Sequence, residues 1–324
     1  MDAGARSSEP EVAIDEGQAL DAVQASLRQA LAASPWPRAL ADIATDVLSD
    51  HTRPLGGRLT PWTLLPLCCC AATGGDWRRG LRAATAVELY ITALDLFDDV
   101  EDGDSSEPID RYGAPIVLNL ATALLALTHV VLSPSTTESN IEAAACHRAQ
   151  DALWEGLVVA TSGQHLDLST AGAAPLSVEE CIDIARRKGG ALAEACSRAG
   201  AAFGTDDPAL IERLGLLGRS IGLYAQLDND MHSAGDAVRK SDLARRKQTV
   251  PVAVARAAGK SDALDDAVWR GGIQLAYALV HAERARAEEA LEAAASACPN
   301  PAYARAILAS LLTRRGIAQA SPAP

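Results

Sequence analysis

Aromatic residues are scarce in this 324-residue chain, with Phe 2, Trp 5 and Tyr 5. Its apolar content is mostly Ala, Leu and Val, a mixture that favours helices over sheets. Alternating strand patterns and repeats of fixed length are absent as well, which disfavours sheet folds and solenoids. Basic residues are outnumbered: 29 Lys+Arg against 42 Asp+Glu gives 29 − 42 = −13. That balance excludes a general nucleic-acid binder, which needs a positive face to displace counterions from phosphates. No C-x-x-C pair occurs among the seven cysteines. The run Cys68, Cys69, Cys70 cannot converge on one metal, because consecutive helical side chains point in different directions. These cysteines are read as small buried hydrophobes in a reducing cytoplasm. The most membrane-like stretch, Ile116 to Leu132, carries Asn119, Thr122, Thr128 and His129 and falls short of a span of roughly 20 residues. The expectation is a central helix buried on all sides and no membrane span. The acidic N-terminus, MDAGARSSEPEVAIDEG, has no apolar core and matches neither a secretory signal nor a transit peptide.

What remains is a globular composition, 48% hydrophobic and 22% charged. Helical periodicity runs through about 17–33, 37–50, 60–73, 78–103, 113–132, 138–168, 178–203, 208–237, 250–258, 262–294 and 300–314. Ser177-x-x-Glu180 reads as a capping box, Asp207-Pro208 as an N-cap before a first-turn proline, and Gly74-Gly75 and Gly204 as stops. The predicted fold is all-α: a single bundle of ten to eleven helices around a central cavity, over 17–314. Residues 1–16 and 315–324 are read as tails.

Two acidic clusters and a basic island carry the chemistry. Asp98 and Asp102 are four apart, so both carboxylates leave one helix face, with Asp99 beside them. Like charges so placed repel unless a cation lies between them, and hard oxygen ligands point to Mg²⁺. The second cluster, Gln226, Asn229, Asp230 and Ser233, follows i, i+3, i+4, i+7 on one helix face. Downstream, Arg239-Lys240-Ser241-Asp242-Leu-Ala-Arg245-Arg246-Lys247 holds five basic residues and one acidic, +5 − 1 = +4 in an acidic chain. A cationic loop beside metal-binding carboxylates describes a site for a polyanion such as diphosphate. Arg186-Arg187-Lys188, before Gly189-Gly190, is a further source of cations.

These residues resemble the trans-isoprenyl diphosphate synthase (polyprenyl synthetase) family, an all-helical group, over about 50 to 255. Its first aspartate-rich motif, D-D-x-x-D, appears as Asp98-Asp99-Val-Glu-Asp102; its diphosphate-binding arginine matches Arg111 and its K-T-[GA] lysine matches Lys188. Its G-Q-x-x-D segment appears as Gly163-Gln164-His-Leu-Asp167, the second aspartate-rich region looks like Gln226 to Ser233, and S-D-x-x-x-x-K-x-T-x-P matches Ser241-Asp242, Lys247, Thr249 and Pro251. The resemblance implies an isoprenoid synthase fold, a cytoplasmic homodimer and Mg²⁺, three ions. It also implies a prenyl diphosphate substrate.

The departures concern a second diphosphate. Elongating members hold isopentenyl diphosphate with a G-G-K-x-x-R-P loop, a His seven residues before the first motif, and the second Arg of R-R-G. Here those places hold Gly56-Gly57-Arg58-Leu59-Thr60-Pro61, Ile91, and Tyr112 in Arg111-Tyr112-Gly113. Several charge-assisted hydrogen bonds, each worth about 1.5–3 kcal/mol, are therefore missing. The second motif, Asn229-Asp230-Met-His-Ser233, is similar to the start of the N-D-x-x-S-x-x-x-E triad of class I terpene cyclases, although Ala237 stands where Glu belongs.

The resulting expectation is a class I terpene cyclase on this scaffold, acting on farnesyl or geranylgeranyl diphosphate. Asp98, Asp102, Asn229, Asp230 and Ser233 would hold metal; Asp99 and Gln226 would join them in catalysis; Arg111, Lys188, Lys240 and Lys247 would grip the diphosphate. Leu89, Tyr90, Ala93, Leu94, Tyr224 and Trp154 would line the cavity. The alternatives are chain elongation using Arg53 and Arg58, prenyl transfer to a peptide or other acceptor, and a non-catalytic partner subunit.

Overall fold

A computed structural model describes residues 14–51, 59–137, 139–172, 174–233, 248–259 and 266–313. Both predicted tails fall almost wholly outside them. Helices α1 (Glu16–Ala33), α2 (Arg38–His51), α3 (Pro61–Gly74) and α4 (Leu81–Asp102) come first, with a 3₁₀ turn at Trp77–Gly80 before α4. They are followed by α5 (Glu107–Tyr112), α6 (Ala114–Leu132), α7 (Asn140–Thr170) and α8 (Val178–Ala185). A π turn, Arg186–Gly190, joins α8 to α9 (Ala191–Gly204); then come α10 (Pro208–Ser233), α11 (Val250–Gly259), α12 (Asp266–Ala297) and α13 (Pro301–Thr313). The described residues contain no strand, and the all-α expectation is met.

Local signals act where the sequence places them. Ser177 Oγ accepts from the Glu180 N–H at 3.2 Å while Glu180 Oε2 accepts from the Ser177 N–H at 2.8 Å, closing the capping box of α8. Asp207 Oδ1 accepts from the Ala209 N–H at 2.9 Å to start α10. Gly75, in the left-handed region at φ 80°, ends α3. Two differences have physical causes. The predicted 178–203 helix is divided by the π turn, and a six-residue helix, α5, occupies what reads as a loop; it is too short to show a periodicity.

The apolar stretch of α3 is buried along its length, and all seven cysteines are buried free thiols, as expected. Burial pushes the Cys70 thiol up to about 12, consistent with a packing role. Main-chain approach makes this core: a Cβ on Gly200 would lie 2.2 Å from the Pro66 carbonyl oxygen, and one on Gly204 2.6 Å from that of Cys70. Backbones of α3 and α9 therefore touch where only glycine fits. Helix α10 bridges two clusters. Leu214, Leu217 and Ile221 enter the main core, whereas Leu223, Leu227 and Met231 pack with Val250, Val254 and Ala276 of α11 and α12.

Helix α6 corrects an expectation. One stripe, Val117, Leu120, Ala121, Leu124 and Leu127, is buried, α6 packing closely on α4; Ile116, Leu118 and Val130 face outward, at 45%, 37% and 62% exposure. Only one face of this helix meets α4, so it is not buried on all sides. By length and hydropathy it is also the one described helix long and apolar enough to cross a membrane.

Candidate active site

The C-terminal ends of α4 and α10, the last turns of α7 and the π turn bring the chemistry together. Asp98, Asp99 and Asp102 sit half-buried on the final turn and a half of α4, which Gly103 closes at φ 66°, its N–H directed at the carbonyls of Asp99 and Val100. Burial pushes the Asp99 carboxyl above the usual aspartate range, and the charges of Asp95 and Asp102 add to it.

Lys188 is the cation among these acids. Its Nζ lies 2.8 Å from Asp167 Oδ2 and 3.4 Å from Asp98 Oδ1. Burial pulls the amine down, but Asp98, Asp167 and, more weakly, Asp102 outweigh it and hold the ammonium above the ordinary lysine range. Glycines mount it. A Cβ on Gly163 would meet Arg187 Cβ at 2.7 Å and the Lys188 nitrogen at 3.0 Å, and one on Gly222 would lie 2.2 Å from the Gly189 carbonyl oxygen. With no side chains there, α7 and α10 close on the π turn from both sides. The extra residue of that turn sits in an otherwise α-helical run, a distortion often found at functional sites.

On α10, Gln226 Nε2 donates to Asp230 Oδ1 at 3.2 Å, and Gln226, Asn229 and Asp230 are half-buried on its last turns. Cys181 of α8 links the two acidic regions: burial raises its thiol to about 12, and the charges of Asp230, Glu180 and Asp167 add to the rise. The dipoles of α4, α7 and α10 all point their negative ends this way, which reinforces attraction for cations.

Arg111 is engaged by other acids. Its guanidinium is 3.0 Å from Asp46 of α2 and 3.6 Å from Glu107, and it stacks over Tyr112 at 5.0 Å. Tyr112 Oη donates to the same Asp46 at 2.9 Å. The other two positions that differ from elongating members are likewise engaged structurally. Thr60 caps α3, accepting from the Thr63 N–H at 3.1 Å, and Thr63 in turn donates to buried Glu88. Ile91 is 1% exposed in the core.

Leu89, Tyr90 and Ala93 are fully buried in the main core and Leu94 packs against it. Tyr90 Oη donates to the Leu153 carbonyl of α7 at 3.1 Å, and its ring meets Trp154 edge-on at 6.4 Å. Tyr224 packs with the second cluster instead. Lys240 and Lys247, and the side chain of Ser233, lie outside the described residues. The residue that sequence reasoning left without a role is Asp167, which was visible only as the last letter of its motif.

The donor chemistry fits Mg²⁺: hard carboxylate oxygens of Asp98, Asp99 and Asp102 share the end of one helix, and an ammonium already offsets part of their charge. Among the described residues no three acidic, His or Cys side chains are gathered closely enough to hold an ion by themselves. Substrate oxygens and water would complete the coordination, as Mg²⁺ commonly requires.

Comparison with known proteins agrees with the geometry. The chain is 29% identical over 280 residues to geranylgeranyl diphosphate synthase of Mycobacterium tuberculosis, covering 78% of each. It is 30% identical over 228 residues to a short chain isoprenyl diphosphate synthase of Methanothermobacter thermautotrophicus, covering 66% of this chain and 68% of that one. Its fold superposes on a polyprenyl synthetase of Streptomyces coelicolor A3(2) with a TM-score of 0.73, at 24% identity, over 91% and 96% of the two chains. The polyprenyl synthetase family model matches residues 43–273, and the chain belongs to that family.

Proposed function

We propose that the protein is a Mg²⁺-dependent enzyme that ionises a linear allylic prenyl diphosphate: the allylic C–O bond breaks, pyrophosphate departs with the bonding electrons, and a carbon–carbon double bond captures the allylic cation and then loses a proton. The observation that carries this is Lys188, held between Asp98 and Asp167 at the converging helix ends. Asp98, Asp102, Asn229, Asp230 and Ser233 would hold Mg²⁺, which neutralises charge on a diphosphate leaving group. Lys188 is placed to hold a diphosphate oxygen, with Lys240, Lys247 and Arg111 as further cations and Gln226 orienting Asp230. The apolar wall below, Leu89, Ala93 and Leu94, keeps water from the allylic carbon.

The first reading for the acceptor is a second prenyl unit, isopentenyl diphosphate, giving a longer prenyl diphosphate. The names of the two similar proteins support it. The second reading is cyclisation of the substrate on itself. It rests on one specific observation: Thr60, Ile91 and Tyr112, at the places that hold the second diphosphate in elongating members, are uncharged and engaged in capping, core packing and the bond to Asp46. Homodimer formation through the outward apolar residues of α6 and α7, such as Val130 and Val158 (62% and 72% exposed), and a cytoplasmic location complete the proposal.

Separate incubation with C10, C15 and C20 diphosphates and Mg²⁺, each with and without isopentenyl diphosphate, tests it. Pyrophosphate release abolished by EDTA is expected. A longer diphosphate formed only with isopentenyl diphosphate selects the first reading. Hydrocarbon or alcohol in pentane extracts without it selects the second. No release from any of them overturns the proposal.

A further inference from the structure

Asp46 ties together two segments that lie far apart in the chain. It stands on α2, where its Oδ2 atom is 3.0 Å from the Arg111 guanidinium and accepts from Tyr112 Oη at 2.9 Å. Arg111 in turn lies over the Tyr112 ring at 5.0 Å, so carboxylate, guanidinium and phenol close a triangle between α2 and α5. A second acid on Arg111, Glu107 at 3.6 Å, sits one turn back on α5 itself and moves with it. Asp46 reaches the arginine from a different helix.

This corner adjoins the acidic turn of α4. Only residues 103–106 separate Asp102 from α5, five steps that span about 18 Å even when fully extended. The connection is shorter than that, because it folds back on α4 with the Asp104 N–H donating to the Asp99 carbonyl at 2.9 Å. The Arg111–Asp46 pair is also exchangeable. Its side chains are 52% and 48% exposed, so water screens the attraction and the pair contributes little to stability. A diphosphate offers more charge, and several oxygens that a guanidinium fork can take two at a time. A carboxylate oxygen already shared with a phenol is the weaker partner.

We propose that Asp46 is a positioning residue that competes with diphosphate for Arg111. It holds the guanidinium until a prenyl diphosphate takes it, and so sets how tightly the site grips its substrate. The inference rests on the function proposed above. Glu107 stays beside Arg111 throughout, whereas the contact with Asp46 is given up, so each binding event breaks one ion pair. Tyr112 keeps its own bond to Asp46, and α2 and α5 stay joined through the exchange.

Titration calorimetry with inorganic pyrophosphate and Mg²⁺ tests the proposal. Asp46→Asn is expected to bind about threefold tighter than the wild-type chain, the factor for losing one exposed ion pair, and Asp46→Glu to bind as the wild type does. Arg111→Ala is expected to bind about tenfold weaker. Asp46→Asn combined with Arg111→Ala should bind no tighter than Arg111→Ala alone, because the competition needs the guanidinium. Both positions are half exposed, and circular dichroism should show the same fold in every variant. A purely structural carboxylate would give a lower Tm with no gain in affinity. Unchanged or weaker binding by Asp46→Asn, or an equal gain when Arg111 is absent, would overturn the competition and leave the proposed function standing. Failure of the wild-type chain to bind millimolar pyrophosphate would overturn both.

Discussion

The two ends of the bundle treat charge in opposite ways. At one end Asp98, Asp99 and Asp102 crowd the last turns of α4, with Asp167 close by, and Lys188 is the cation placed between them. At the other, Arg82 and Arg148 donate to the main-chain carbonyls that end α6 and α9. The first arrangement leaves like charges facing one another, which costs stability and suits a site that collects metal and diphosphate. The second spends cations on satisfying carbonyls that helix ends leave bare. One set of helices thus carries reactivity at one end and structure at the other.

Asp98→Asn should break this contrast most sharply. Turnover is expected to fall by about 10²–10³, the range for losing a preorganised electrostatic group, measured as Mg²⁺-dependent pyrophosphate release. Its Tm should stay level, because relief of the repulsion with Asp102 is offset by the loss of one of the two carboxylates paired with Lys188. A variant with wild-type turnover would remove Asp98 from the metal-holding set. Gly222→Ala should come next. Its new Cβ would fall 2.2 Å from the Gly189 carbonyl oxygen, costing about 1–3 kcal/mol. The loss should appear in thermal denaturation together with reduced turnover, because the π turn that carries Lys188 must shift.

Arg82→Ala tests the far end and should show the reverse pattern from Asp98→Asn: a lower Tm from bare carbonyls at Val131 and Ser133, about 1–2 kcal/mol. The smallest expected effect belongs to Tyr90→Phe. Removing its hydroxyl leaves the Leu153 carbonyl without that donor, about 1 kcal/mol by denaturant titration. A larger loss would mean that the Tyr90 and Trp154 ring contact depends on the hydroxyl to hold its geometry.

Much of the fold could be read from local pattern. The capping box at Ser177, the cap at Asp207 and the stop at Gly75 act over a few residues, so their energetics are complete within a short window. Cys68 to Cys70 were legible as core for the same reason, sitting in an unbroken apolar run. The site was legible as motifs and only partly as geometry. Lys188 lies against Asp98 across 90 positions and Arg111 is held by Asp46, a residue 65 positions away, and no spacing rule connects either pair. The outward face of α6 was misread because hydropathy reports how apolar a helix is, and burial depends on which neighbours are present to cover it.

Sequence alone settled the helical class, the excess of acid, the order of the diphosphate motifs and the absence of charged groups at Thr60, Ile91 and Tyr112, because each is a property of residue type or short-range spacing. Tertiary structure decided that Asp167 shares Lys188 with Asp98, that glycines at 163, 189 and 222 let three helices close around that lysine, and that Arg82 and Arg148 reach the carbonyls that end α6 and α9. Those outcomes depend on distances between segments far apart in the chain, which are set only when the backbones pack.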